Sequence, residues 1–168
     1  MTNIDYYPDY CRKSNLVLGC GNVLFGDDGF GPAVIEHILE KRKVCQDACF
    51  LNTGTSSRKI LFNITLSEKK PQRIIIVDAM ECGKKPGAVV EVSLDSIPEN
   101  KIDDFSIHQV PTSNLLRELR DFCGLEVIIV ALQPPNIPSE VDPGLSQAAQ
   151  CSVIKAADHI LAILQDVK

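Results

Sequence analysis

Two short runs constrain the fold more than anything else in this 168-residue chain. Residues 73–77 (RIIIV) and 126–131 (EVIIVA) are β-branched and apolar, with no alternation. A strand that is apolar on both sides must be covered on both sides, which marks a central strand of a parallel sheet rather than a half-solvated hairpin. Around these runs the apolar spacing turns helical. Residues 30–43 place Val34, Ile35, Ile38 and Leu39 on one stripe, with Pro32 tolerable in the first turn. Residues 57–66 read as a second helix. Residues 112–123 read as a third, with Leu115, Leu116, Leu119 and Phe122 on one side and Thr112 or Ser113 as cap. Residues 145–165 read as a long final helix carrying Val153, Ile154, Ala157, Ile160, Leu161 and Leu164. Further strands are expected at 15–21 and 48–52, and at 88–94, whose partial alternation suits a sheet edge. Strands alternating with helices predict an α/β three-layer sandwich: a twisted, mostly parallel central sheet flanked by helices.

The length favours one domain, with residues 1–14 as an irregular N-terminal arm and residues 15–168 as the folded unit. The formal net charge of -5 and the scattered basic residues argue against nucleic-acid binding, which relies on clustered Lys and Arg. The nearest cluster, Lys41-Arg42-Lys43, suits the negative end of a helix dipole. No apolar run is long enough to cross a membrane. The start of the chain is polar and aromatic, unlike a secretory leader. None of the seven cysteines forms a CxxC pair, so reduced, largely buried thiols in a cytoplasmic protein are expected.

In such sheets ligands bind beyond the carboxyl ends of the strands, where the strand order switches. Three strand ends carry chemistry. After the first strand, Gly19-Cys20-Gly21 begins like a dinucleotide fingerprint, but Leu24 stands where the third glycine belongs, and Asp27-Asp28 would repel phosphate. The acid pair reads either as caps for the following helix or as functional carboxylates. Asp78 ends the most apolar strand, and reads either as a turn acceptor or as a site acid. His108 lies just ahead of the third helix, and a lone histidine is as readily structural as catalytic. Taken together, an oxygen ligand from the first loop, one from Asp78 and an imidazole from His108 could surround one divalent ion, and that mixed set suits nickel or zinc. Serine catalysis lacks a GxSxG elbow. Cys20 is well placed as a nucleophile, but neighbouring acids raise a thiol pKa.

These segments resemble the nickel–iron hydrogenase maturation endopeptidases. The run from Gly19 to Leu39 (GCGNVLFGDDGFGPAVIEHIL) is similar to the family's opening signature. Ile74 to Glu81 (IIIVDAME), Ser106 to Val110 (SIHQV) and Val127 to Pro138 (VIIVALQPPNIP) resemble its later segments, in order. The Gln-Pro-Pro loop and the Ser-Ile-His segment are most similar to members that process deazaflavin-reducing hydrogenases of methanogenic archaea. The resemblance implies a protease that removes a C-terminal extension from the hydrogenase large-subunit precursor once nickel is installed. On that likeness Asp28, Asp78 and His108 contact a nickel carried by the substrate, and no nucleotide is involved. Two departures stand out: Asp28 replaces a common glutamate and is one methylene shorter, and the arm at 1–14 has no family counterpart.

Several mechanisms stay open at this point. The ion could polarise the scissile carbonyl or acidify a water, Asp28 or Asp78 could act as general base, or the carboxylates could share a proton as in aspartyl proteases. Asp27 is a candidate for orientation or capping. Gln133, Pro134 and Pro135 open a proline-stiffened loop (residues 133–144) expected to dock the substrate. A nickel-sensing binding module and an unrelated small-molecule enzyme are the competing classes.

Overall fold

A computed structural model describes residues 7–41, 45–97 and 112–165. Five strands form one sheet: β1 (Asn15–Cys20), β2 (Ala48–Gly54), β3 (Arg73–Ala79), β4 (Val89–Val92) and β5 (Glu126–Leu132). Their order is β2-β1-β3-β5-β4, parallel except for β4, which pairs antiparallel to β5 at the edge. The helices are α1 (Asp9–Arg12), α2 (Phe30–Lys41), α3 (Ser57–Leu66), α4 (Thr112–Asp121) and α5 (Gln147–Gln165). The three-layer α/β sandwich is therefore present, and the partly alternating fourth strand lies at an edge.

Alternation along the strands divides the core. Val17, Ile75, Val77, Val130 and Leu132 face one layer, where Phe30, Val34, Ile35 and Ile38 of α2 meet Val153, Ala157 and Ile160 of α5. Leu16, Leu18, Ile74, Ile76 and Ile129 face the other, against Leu61 and Ile64 of α3 and Leu116 and Leu119 of α4. The two unalternating runs are β3 and β5, the strands that need cover on both faces.

Several boundaries and faces differ from expectation. The arm is not wholly irregular: α1 buries Cys11 against the α3 side of the core, with Tyr7 and Tyr10 packed beside it. Phe122 is not a core residue of α4 but is 87% exposed. The helix stops at Asp121 and closes with bonds from the N–H of Gly124 to Arg120 and from the N–H of Leu125 to Leu119, with Gly124 at φ 71°. That glycine cap turns the chain into β5 and leaves Phe122 outside. Leu39 and Ile154 are also exposed, because each apolar stripe is wider than the strip its helix buries. Only Cys11 and Cys20 among the seven free cysteines are buried, so the thiols are less concealed than expected.

Candidate active site

The order of the sheet reverses between β1 and β3, since the chain leaves β1 for β2 on one side and returns to β3 on the other. Crevices form at such points because the flanking helices lie on opposite faces. Asp28 follows β1 and Asp78 lies at the end of β3, so the two acids flank this crevice. Gly21 stands between them: a Cβ there would lie 1.8 Å from the carbonyl oxygen of Asp28 and 3.4 Å from Oδ1 of Asp78. With φ at 116°, it is a position that only glycine occupies without strain.

Close packing explains the other glycines of this segment. Residues 26–29 form a 3₁₀ turn that runs directly into α2. A Cβ on Gly31 would meet the carbonyl oxygens of Cys20 and Val77 at 2.3 Å, and one on Gly19 would meet the Gly31 carbonyl oxygen at 2.5 Å. The first turn of α2 is thus pressed onto the ends of β1 and β3. The glycines that imitate a nucleotide fingerprint serve this approach, and the loop between them delivers an acid rather than a bare helix terminus.

Asp27 and Asp28 point apart. The Asp28 carboxylate is buried and accepts the backbone N–H of Asn22 at 2.8 Å through Oδ2. Asn22 is itself locked, since its Oδ1 accepts the N–H of Leu24 at 3.0 Å. The Asp27 carboxylate faces away from the crevice and accepts from Ser146, taking the N–H at 2.6 Å and the hydroxyl at 2.7 Å. Ser146 in turn accepts the N–H of Ala149 at 3.2 Å, which caps α5. The cap that Asp27 does support is thus at α5, not at the helix that follows it directly. Ser146 and Asn22 are the residues that sequence reasoning missed: a serine before a helix signals a cap, but nothing in the sequence signals a partner 119 positions away.

Asp78 accepts the N–H of Ala79 at 2.8 Å through Oδ1. Burial, with the nearby Asp28 charge adding to it, pushes its pKa up to about 7, and the Ala79 bond only partly offsets this. Cys20 lies on the same side, its Sγ 3.7 Å from the Thr53 hydroxyl. Burial first, then the charges of Asp78 and Asp28, push its thiol up to about 12 against bonds from Thr53 and Ser57. A thiol so raised stays protonated and is no nucleophile near neutral pH.

His108 lies outside the described residues, so the structure places only two of the three residues expected at the site. Among the described residues no group of three or more His, Cys, Asp or Glu side chains could hold a metal ion. The two carboxylates nonetheless have the chemistry of hard oxygen donors. A cation between them would relieve the desolvation and repulsion that raise Asp78.

Gln133 and Pro134 are not a docking surface. Both are buried, and the Gln133 amide is spent internally. Its Oε1 accepts the N–H of Cys82 at 2.8 Å and that of Lys84 at 3.2 Å, and its Nε2 donates to Glu81 and to the Pro134 carbonyl, each at 3.0 Å. The residue pins the β3–β4 connection to the end of β5. Pro135 is exposed, as are residues 139–142 farther along the loop.

Comparison with known proteins agrees with the fold. The family model described as hydrogenase maturation protease matches residues 32–163. A Methanocaldococcus jannaschii protein carrying a provisional assignment as a hydrogenase maturation protease is 34% identical over 151 residues, covering 89% of this chain and 96% of its own. The coenzyme F420 hydrogenase subunit delta of Methanothermobacter thermautotrophicus is 31% identical over 150 residues, covering 87% and 91%. In fold, the chain is similar to a nickel–iron hydrogenase maturation protease from Thermococcus kodakarensis, with a TM-score of 0.73 at 22% identity over 92% of this chain and 94% of that one.

Proposed function

The chain belongs to the hydrogenase maturation protease family, and from that premise we propose that its peptide-bond hydrolysis takes place at the Asp28–Asp78 pair. As a member it is an endopeptidase that matures the large-subunit precursor of a nickel–iron hydrogenase. The observation that supports this placement is that Asp28 and Asp78 come from separate strand ends to the switch point of the sheet, close enough for the charge of one to act on the other.

In this reading the two acids divide the work. Asp28, held by the Asn22 N–H, serves as a fixed oxygen donor. Asp78, whose pKa is pushed up to about 7, can take a proton from an attacking water and return it to the leaving amine. His108, from the segment ahead of α4, supplies the third donor. The nickel belongs to the precursor, and its contact with these groups orders the scissile bond at the C-terminal extension and reports that the metal has been installed. The substrate is the precursor of a deazaflavin-reducing hydrogenase of an archaeon, a reading supported by the likeness to the F420 hydrogenase subunit. A second reading rests on the Asp28 charge that raises Asp78: the carboxyls share one proton and cut as an aspartyl protease does, with nickel used for recognition only.

The test is mass spectrometry of purified precursor, nickel-loaded and nickel-free, after incubation with the protein. Loss of a C-terminal peptide only from the loaded form is expected. Asp28→Asn, Asp78→Asn and His108→Ala should each slow the cut by roughly 100-fold or more while the protein stays folded. No mass change under any metal condition would overturn the reading, and full activity in all three variants would overturn the site.

A further inference from the structure

Beside the acid pair, the glycine loop and the proline-rich loop are stitched into one surface. The Gly26 N–H donates to the Asp142 carbonyl at 2.9 Å, and the Asp142 N–H donates to the Leu24 carbonyl at 2.9 Å. Gly26 also lies against Pro138, whose Cδ would be 3.0 Å from an added Cβ. On this joined surface three large aliphatic side chains are left in solvent: Val23 at 53%, Leu24 at 47% and Val141 at 64% exposure. Isolated exposed aliphatics need no explanation, but three on two cross-linked loops beside a reactive centre do.

The shelf is coupled to the site at atomic range. Val23 follows the residue whose N–H holds the Asp28 carboxylate, and its Cα would lie 3.1 Å from a Cβ on Gly29. A polypeptide laid against Asp28 therefore also passes over Val23 and Leu24. The two segments that carry the shelf hold charge of one sign. Neither residues 15–40 nor residues 131–150 contain a Lys or Arg, while Asp27, Asp28, Glu140 and Asp142 fall within them. Glu140 and Asp142 flank Val141 and are exposed.

We propose that Val23, Leu24 and Val141 form the docking shelf for the folded, nickel-loaded large-subunit precursor, meeting an apolar patch rimmed by Lys and Arg beside the cleavage site. This rests on the function proposed above. An aliphatic centre within a charged rim is the usual composition of a protein interface: the centre supplies affinity and the rim supplies rate. It also moves substrate docking from the start of the proline-rich loop, where Gln133 and Pro134 are buried, to the loop's far end. Phe62 and Leu66 are also exposed, but on α3, which packs against the opposite face of the sheet from α2, and they serve as the control.

The experiment measures precursor binding and cleavage together, using the full chain. Combined Val23→Ser, Leu24→Ser and Val141→Ser should raise the dissociation constant for nickel-loaded precursor at least 10-fold and lower kcat/KM to match. Phe62→Ser with Leu66→Ser should leave both within twofold. Glu140→Gln should slow association at low salt and flatten its salt dependence. Circular dichroism checks the folding of the combined variant, and single substitutions, each raising the constant by a smaller step, stand in if it does not fold. Wild-type binding by the shelf variants, with cleavage intact in the unaltered protein, overturns the shelf and leaves the proposed function standing. Neither binding nor cleavage by the unaltered protein overturns both.

Discussion

The Asp78 carboxyl closes an otherwise apolar strand, and its burial beside Asp28 pushes its pKa up to about 7. An unfolded aspartate titrates near 3.8. Between those values the folded protein binds the proton more tightly than the unfolded chain does, so stability falls as pH rises through that window. The penalty is absent below the unfolded value and complete above the folded one. Asp78→Asn should therefore stabilise the protein at pH 8 in chelator-treated buffer, by on the order of 3 kcal/mol, and change little near pH 4. Urea unfolding of both forms at the two pH values checks this, and an equal difference at both would contradict it. The residue was legible in the sequence as an acid ending an apolar run at a strand terminus, a position that suits a turn acceptor as well as a site acid, and it accepts the Ala79 N–H here. The division of roles between Asp27 and Asp28 came only with the family resemblance, and the bond that holds Asp27 was not legible at all. Adjacent side chains diverge according to local backbone turns, and the partner of Asp27 lies in a distant segment.

Elements fit one another here through absent side chains. Gly31 lets the first turn of α2 touch the backbone of both β1 and β3, and Gly19 faces it. Gly31→Ala would drive a methyl into two carbonyl oxygens with no flexible side chain to yield, so α2 must shift and carry Asp28 with it. A loss of about 2–3 kcal/mol is expected, with lower cleavage even in the folded fraction. Thermal unfolding, paired with activity corrected for folded protein, measures both effects. The order and type of the elements were legible, since β3 and β5 declare themselves by composition and the long helices by spacing. Their ends were less so. The sequence pattern ran residues 112–123 as one helix because Phe122 continues the apolar stripe, yet the glycine cap at Gly124 ends α4 earlier. The arm was read as irregular because a four-residue helix carries too little periodicity to register.

At the scale of the whole molecule, the topology brings distant segments to one crevice. The predicted parallel sheet already directs attention to strand ends, so the location of the site followed from fold class. What the fold class does not convey is how the walls of this candidate site are held: Asp27 by Ser146, Gly26 by Asp142, and Cys82 by Gln133. These bonds join the first and second thirds of the chain to the last.

The clamp between Asp27 and Ser146 has a consequence for when the protein becomes active during its own synthesis. The loop bearing Asp28 is made early, but Ser146, which fastens Asp27, leaves the ribosome 119 residues after it, and residue 142 only a little sooner. A nascent chain exposing only residues 1–141 lacks those fasteners and all of α5. Arrested ribosomes displaying that length are expected to leave nickel-loaded precursor uncut, whereas ribosomes displaying the whole chain on a flexible spacer should cut it. Cleavage by this chain is thus expected to begin only once residues 142 and 146 have emerged and fastened the acid loop.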